Sequence, residues 1–254
     1  MDQGAKMTKL DAIPADAFQS WETSLQASIR TCGSLEEAAQ KCVAMIYDQF
    51  RDSIVLARFY AVIPFGKLPQ DAHRFATAFA AARNVNEALH DDTPVLSLLG
   101  TRGELSAWNE RRSSRGHLAI PLVSPAFVEE IPMVSRMLKE LGFPIEWVTG
   151  ASKVVTTDLF GRLGGFFYVE DAATALDHQN RRIIPAQDFV SKHGVKTVFG
   201  TAGMYVRSRM LVTLIVFCRE TLDRAALRHS FMPLGNVITN ATSAIVHRGK
   251  LFAG

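Results

Sequence analysis

The stretch DFVSKHGVKTVFGTAGMYVRSRMLVTLIVFCRETLDRAALRHSFMPLGNVITNATSAI, running from Asp188 to Ile245, decides the fold. Asp188 reads as a first-turn carboxylate for a helix through Phe189 and Val190. Thr197 to Phe199 is a short β-prone run, Gly200 to Gly203 supplies turn chemistry, and Arg209 to Cys218 is dominated by Leu, Val, Ile, Phe and Thr, so two strands joined by a turn are predicted. One long helix is expected to follow. Leu227, Phe231, Leu234, Ile238, Ala241 and Ile245 recur at steps of four and three, a heptad-like seam that needs something to pack on. Pro233 lies inside the run and removes a helical hydrogen bond, which predicts a kink or break near Ser230.

Upstream, Phe18, Trp21, Leu25 and Ile29 place a helix over Ala15 to Arg30, and Thr31-Cys32-Gly33 ends it. Ser34-Leu35-Glu36-Glu37 has the form of a capping box and opens a second helix. Its face of Leu35, Ala38, Ala39, Cys42, Met45, Ile46 and Phe50 is wide enough to require a sheet as partner. Ser53 to Ile63 is apolar on both faces and therefore predicts a central strand covered from both sides, ended by Pro64. The pattern then predicts a helix over Gln70 to Leu89, a loop at Asp91 to Pro94 and a short helix over Glu104 to Arg112. His117 to Val123 reads as a strand held to an edge by Pro121. Pro125 to Leu141 has helical spacing split at Pro132, and Gly164 to Glu170 reads as a further strand. This order of elements is that of an α+β chain, with a central antiparallel sheet of about five or six strands flanked by helices.

Composition sets outer limits. Hydrophobic residues make up 48% and charged residues 21% of 254 positions, the usage of a globular chain able to build a core without staples. The net charge of +3 gives no field that would select nucleic acid or an acidic membrane. No apolar run approaches the ~20 residues of a membrane helix, and the amino-terminal residues lack a secretory apolar core. Three cysteines, Cys32, Cys42 and Cys218, with no CxxC spacing, point to reduced thiols and a cytoplasmic location.

The Asp188–Ile245 stretch resembles the closing half of a GAF domain, the small-molecule-sensing relative of PAS domains. In that family an acidic-aromatic helix start, a strand like Gly194-Val195-Lys196-Thr197-Val198, a turn and an apolar strand precede a dimerising helix. The resemblance spans Ser34 to Ile245 and is specific over Ser53 to Ile63 and Gly164 to Ile245. It implies a helical extension over 1–33 and a GAF-like domain over 34–254, with an inserted, mostly helical segment around 70–116. The amino- and carboxy-terminal helices are expected to pack together. It also implies a homodimer through Leu227, Phe231, Leu234, Ile238 and Ile245. The alternative use of that seam is against the domain's own sheet or first helix.

For function, the resemblance implies a sensory or regulatory domain that binds a small ligand between its sheet and the Pro125–Gly164 segment, and that is not an enzyme. With no output domain read in the sequence, action through a separate protein such as a kinase or cyclase, or standalone binding, is expected. Two alternatives stay open. One is an enzyme resembling the free methionine sulfoxide reductases, whose thiols cluster at the ligand pocket; here Cys32 and Cys42 fall on helices and only Cys218 on a strand. The other is a ligand-free interaction module. No P-loop, GxSxG elbow or HExxH occurs, and His90-Asp91-Asp92 lacks a second cluster that would make a metal set.

Candidate ligand residues follow from chemistry and alternation. Arg111, Arg112 and Arg115, in WNERRSSRGH, offer guanidinium forks for a carboxylate or phosphate, against which stands a solvated helix end. His117 opens a strand and is either a pocket or a core histidine. Phe166 and Tyr168 share one face of a strand that forms the pocket wall in GAF-like proteins, with Phe167 opposite; Phe199, Thr201 and Tyr205 flank the closing hairpin beside them. The cofactor is left unknown. A haem held by His117 or His193 is a variant that nothing in the spacing demands.

Overall fold

The computed structural model describes residues 9–10, 13–114, 116–149, 165–205 and 207–253. Among these, six strands form one antiparallel sheet in the order β3-β2-β1-β6-β5-β4. The strands are β1 Ile54–Pro64, β2 Pro94–Gly103, β3 Ala119–Pro121, β4 Phe166–Val169, β5 Val198–Tyr205 and β6 Met210–Cys218. The helices are α1 Ala15–Arg30, α2 Leu35–Gln49, α3 Gln70–Ala81, α4 Pro125–Glu129, α5 Pro132–Glu140, α6 Ile145–Val148, α7 Gln187–His193, α8 Arg224–Phe231 and α9 Leu234–His247.

β1 lies inside the sheet between β2 and β6, as an apolar strand with no polar face must. One sheet face packs on α1, α2 and α9 through Leu25, Ile29, Ile46, Phe50, Phe59, Phe199 and Phe231. Phe231 is the hub of that layer, with ring centroids 5.2 Å from Phe18, 5.8 Å from Phe50 and 5.0 Å from Phe199. The other face packs on the connections between β3 and β5 through Leu56, Tyr60, Leu98, Leu138, Phe143, Phe167 and Ile215.

Three sequence expectations are corrected. First, Gly200–Gly203 is not a turn; β5 runs through it to Tyr205 and the turn comes after. The glycines serve close packing instead. A Cβ at Gly203 would lie 2.3 Å from the Gly235 carbonyl oxygen, and one at Gly235 would lie 1.8 Å from that of Ala202, so α9 rests directly on β5. Second, the seam of the terminal helix, which breaks near Pro233 as expected, is not exposed. Leu227, Phe231, Leu234, Ile238 and Ile245 are all buried within the same chain, against the sheet and α1, which removes them as a dimer surface. Third, β2, a ten-residue strand, crosses the segment 70–116 where only helix and loop are predicted. Its Leu-rich run with Gly100 and Gly103 hides a β-bulge opposite Phe59 and Tyr60.

Two exposed strand edges are satisfied by side chains. β3 pairs only with Val95 to Ser97, and beyond it Gln40 of α2 accepts from the Thr101 amide at 3.1 Å and donates to the Thr101 carbonyl at 3.0 Å, as a neighbouring strand would. At the opposite edge Glu140 accepts from the Tyr168 amide and Arg136 donates to the Tyr168 carbonyl, each at 2.9 Å. Unpaired edges are thereby closed to further strands.

Candidate functional site

The residues singled out from sequence do not converge. Phe166, Tyr168, Phe199, Thr201 and Tyr205 occupy the sheet face toward α1 and α9, in register with one another. Phe166 stacks on Phe199 at 5.8 Å, Thr201 Oγ1 donates to the Met232 carbonyl at 2.9 Å, and Tyr168 Oη donates to the Leu222 carbonyl at 2.7 Å. Tyr205 Oη and Thr242 Oγ1 are 2.6 Å apart, and burial pushes the phenol up to about 12. Phe166, Phe199, Thr201 and Tyr205 are core, not pocket wall, whereas Tyr168 is partly buried and lines a surface hollow with Arg136, Glu170 and Arg224. Arg111 is 2% exposed and held by two carboxylates, Glu36 at 2.5 Å and Asp71 at 2.8 Å, so its fork is already filled. Arg112 is exposed, and Arg115 lies outside the described residues. His193 contacts Glu104 through Nδ1 and packs edge-on to Trp108 and tilted against Phe189, which engages the ring that a haem would require.

What the structure gathers instead is centred on a residue that the sequence does not flag, Arg58. It sits midway along β1, on the face of Leu56, Tyr60 and Val62, half-buried in an otherwise apolar layer. Arg58 Nη1 donates to Tyr60 Oη at 3.3 Å and to the Gly116 carbonyl at 3.4 Å, and Nη2 donates to Ser114 Oγ at 3.4 Å. All three bonds are at the long end of useful geometry. No carboxylate pairs with it among the described residues. Its Nε is buried without a partner, and so is Oγ1 of Thr101, the residue directly across from it on β2. Each such orphan costs about 1–3 kcal/mol unless something else satisfies it.

His117 completes the rim. It holds a left-handed backbone at φ +59°, two residues before β3. Nearby protein atoms, then the charges of Arg58 and Arg83, lower its pKa to about 4, although His117 is solvent-exposed, which screens and limits the effect. It is therefore neutral at pH 7. Arg58, Tyr60, Thr101, Ser114 and neutral His117 together present donors with excess positive charge, an arrangement suited to an oxyanion. Further along the same face a hollow of about 400 Å³ opens between Val62, Val148 and Leu211 with Lys67 and Arg209 at its rim. Val62 is about 13 Å from Arg58 along the strand, beyond the span of a small anion.

The remaining chemistry is sparse. All three cysteines are free and buried, and burial raises the thiols, Cys42 to about 12. No group of three or more metal-ligating side chains occurs among the described residues. No helix among them is long and apolar enough to cross a membrane.

Two solved structures share the arrangement of sheet and helices. The chain is similar to a free methionine-R-sulfoxide reductase from Neisseria meningitidis, solved with its substrate, at 9% identity and a TM-score of 0.51, over 96% of this chain and 99% of that one. It is similar also to the GAF domain of an Acinetobacter phosphoenolpyruvate-protein phosphotransferase, at 12% identity and a TM-score of 0.50, over 94% and 99%.

The fold is GAF-like. At such identities the likeness establishes the GAF-like fold alone. No family model matches the chain, and no curated protein matches it by sequence. The expectation that the protein is not an enzyme is corrected here: the same fold carries a reductase as well as a phosphotransferase's GAF domain, so a GAF-like architecture does not imply the absence of catalysis.

Proposed function

We propose that this GAF-like domain binds a small oxyanion, a carboxylate or phosphate, at Arg58, beside Tyr60 and Ser114, and that occupancy regulates the protein or a separate output partner. The observation that carries the reading is the Arg58 guanidinium itself. It stands in an apolar sheet face with long hydrogen bonds, no carboxylate partner among the described residues and a buried unpartnered Nε. A charge kept there without a partner costs stability, and an incoming anion supplies the partner. The site lies on the face covered by the connections between β3 and β5, in keeping with a ligand held between the sheet and that layer. The free, buried thiols accord with a reducing, cytoplasmic setting. A thiol-based reaction would have to use cysteines that are buried and protonated, so the site is assigned to anion binding, with turnover of any retained molecule assayed alongside.

The test is thermal unfolding with inorganic phosphate added to the wild type and to Arg58→Gln, with native mass spectrometry of the freshly purified chain. A phosphate-dependent rise in Tm, or an acidic adduct, that is present in the wild type and absent in Arg58→Gln supports the site. Equal behaviour of the two proteins removes Arg58 from it.

A further inference from the structure

The turn over residues 111–114, which brings Ser114 to Arg58, is anchored at its other end away from the sheet face. Arg111 opens this turn, and Ser114 closes it by donating its amide to the Arg111 carbonyl at 3.0 Å. The Arg111 side chain leaves in the opposite direction, to the first turns of α2 and α3, where Glu36 and Asp71 accept from it. Glu36 is shared. Its Oε1 takes Arg111 Nε while its Oε2 accepts from the Ala253 amide at 3.0 Å. The segment around Ala253 also caps α2, since the Leu35 and Glu36 amides donate to the Lys250 and Leu251 carbonyls, each at 2.9 Å, and Phe252 lies 5.5 Å from the Arg111 guanidinium. One carboxylate thus joins the turn over Arg58 to residues 250–253.

We propose that Arg111 is the positioning residue of the anion site and that, through Glu36, it couples occupancy of the site to the docking of residues 250–253. The proposal rests on the reading of Arg58 as the anion-binding group. An anion seated between Arg58 and Ser114 replaces their 3.4 Å contact with two shorter charge-assisted bonds, one from the guanidinium and one from Ser114 Oγ, and ties the turn to Arg58. A turn so tied leaves less freedom for Arg111 to lose in holding Glu36, so ligand and tail favour one another. Reciprocity then requires that weakening the tail weakens the ligand by the same factor.

The experiment is hydrogen exchange on the wild-type chain with and without inorganic phosphate, reading peptides over 35–37 and 250–253, with the exposed loop over 176–182, which exchanges by local opening, as reference. Exchange at Leu35, Glu36 and Ala253 is expected to slow about five-fold or more on addition of phosphate, with the 176–182 loop unchanged, and Glu36→Gln is expected to bind phosphate more weakly by a similar factor. If phosphate raises Tm in the wild type and not in Arg58→Gln while these amides exchange at unaltered rates, the coupling is wrong and the anion site stands. If phosphate produces no Arg58-dependent shift, both fall. The exchange measurement needs no variant, so a poorly folded Glu36→Gln cannot mask the result.

Discussion

Replacing Arg58 by Met separates a binding residue from a structural one. Met fills the volume of the aliphatic stem and removes the guanidinium from the apolar face, so the buried Nε orphan disappears. That relief is about 1–3 kcal/mol. Against it, Tyr60 Oη, Ser114 Oγ and the Gly116 carbonyl each lose a donor at 3.3–3.4 Å, long bonds on a half-buried group that together return about 1 kcal/mol. Ser114 Oγ still donates to the Gly116 carbonyl at 3.1 Å, which limits the loss. The net expectation is a protein as stable as the wild type or up to about 2 kcal/mol more stable, a Tm rise of up to about 8 °C for a chain of this length. Ligand response moves the other way. At phosphate 100-fold above its Kd the wild type gains about 2.7 kcal/mol and the variant gains nothing. Urea unfolding with and without phosphate measures both. A variant destabilised by more than about 1 kcal/mol would refute the reasoning, because Arg58 would then be holding the fold rather than waiting for a partner.

Phe231→Ala is expected to cost about 3–5 kcal/mol in urea unfolding, since the ring joins α8 to Phe18, Phe50 and Phe199 and no neighbour can fill the space. Gly235→Ala places a methyl 1.8 Å from the Ala202 carbonyl oxygen, so α9 must lift from β5 at a cost of about 3 kcal/mol or more; a neutral result would mean that helix and strand are not in contact there. His117, with its folded pKa of about 4 below the unfolded 6.5, leaves the unfolded state with more bound protons between those values. Stability should therefore fall as pH drops from 6.5 toward 4, by no more than about 1 kcal/mol given the ring's solvent edge, and His117→Asn should flatten that slope while tolerating the left-handed backbone.

Much of the fold was legible because local physics and packing agree. α1 begins and ends where the spacing of Phe18, Leu25 and Ile29 places it. The Ser34 cap is present, with its hydroxyl accepting from the Glu37 amide, although the Glu37 carboxylate reaches back to the Gly33 amide and not to that of Ser34. Pro132 and Pro233 break their helices because a proline withholds an amide wherever it stands. The glycines at 200, 203 and 235 were not legible in the same way. A glycine reads alike whether it bends the chain or lets another backbone approach, and only the seating of α9 on β5 separates the two uses.

The site divides along the same line. Periodicity shows that β1 is apolar on both faces and therefore central, but it passes over Arg58. It does not show which face receives the helices, and a wrong assignment sends Phe166, Phe199, Thr201 and Tyr205 to a pocket when they belong to the core. Likewise an arginine-rich run announces charge without announcing what neutralises it. Arg111 meets Glu36 from 75 positions away, whereas Arg58 meets no carboxylate among the described residues. Sequence shows the elements whose signals are local, such as α1, the Ser34 cap and the breaks at Pro132 and Pro233, whereas β2 forms only because β1 and β3 pair with it. Which charge is spent and which is left for a ligand depends on contacts between residues far apart in sequence, and only the tertiary structure decides them.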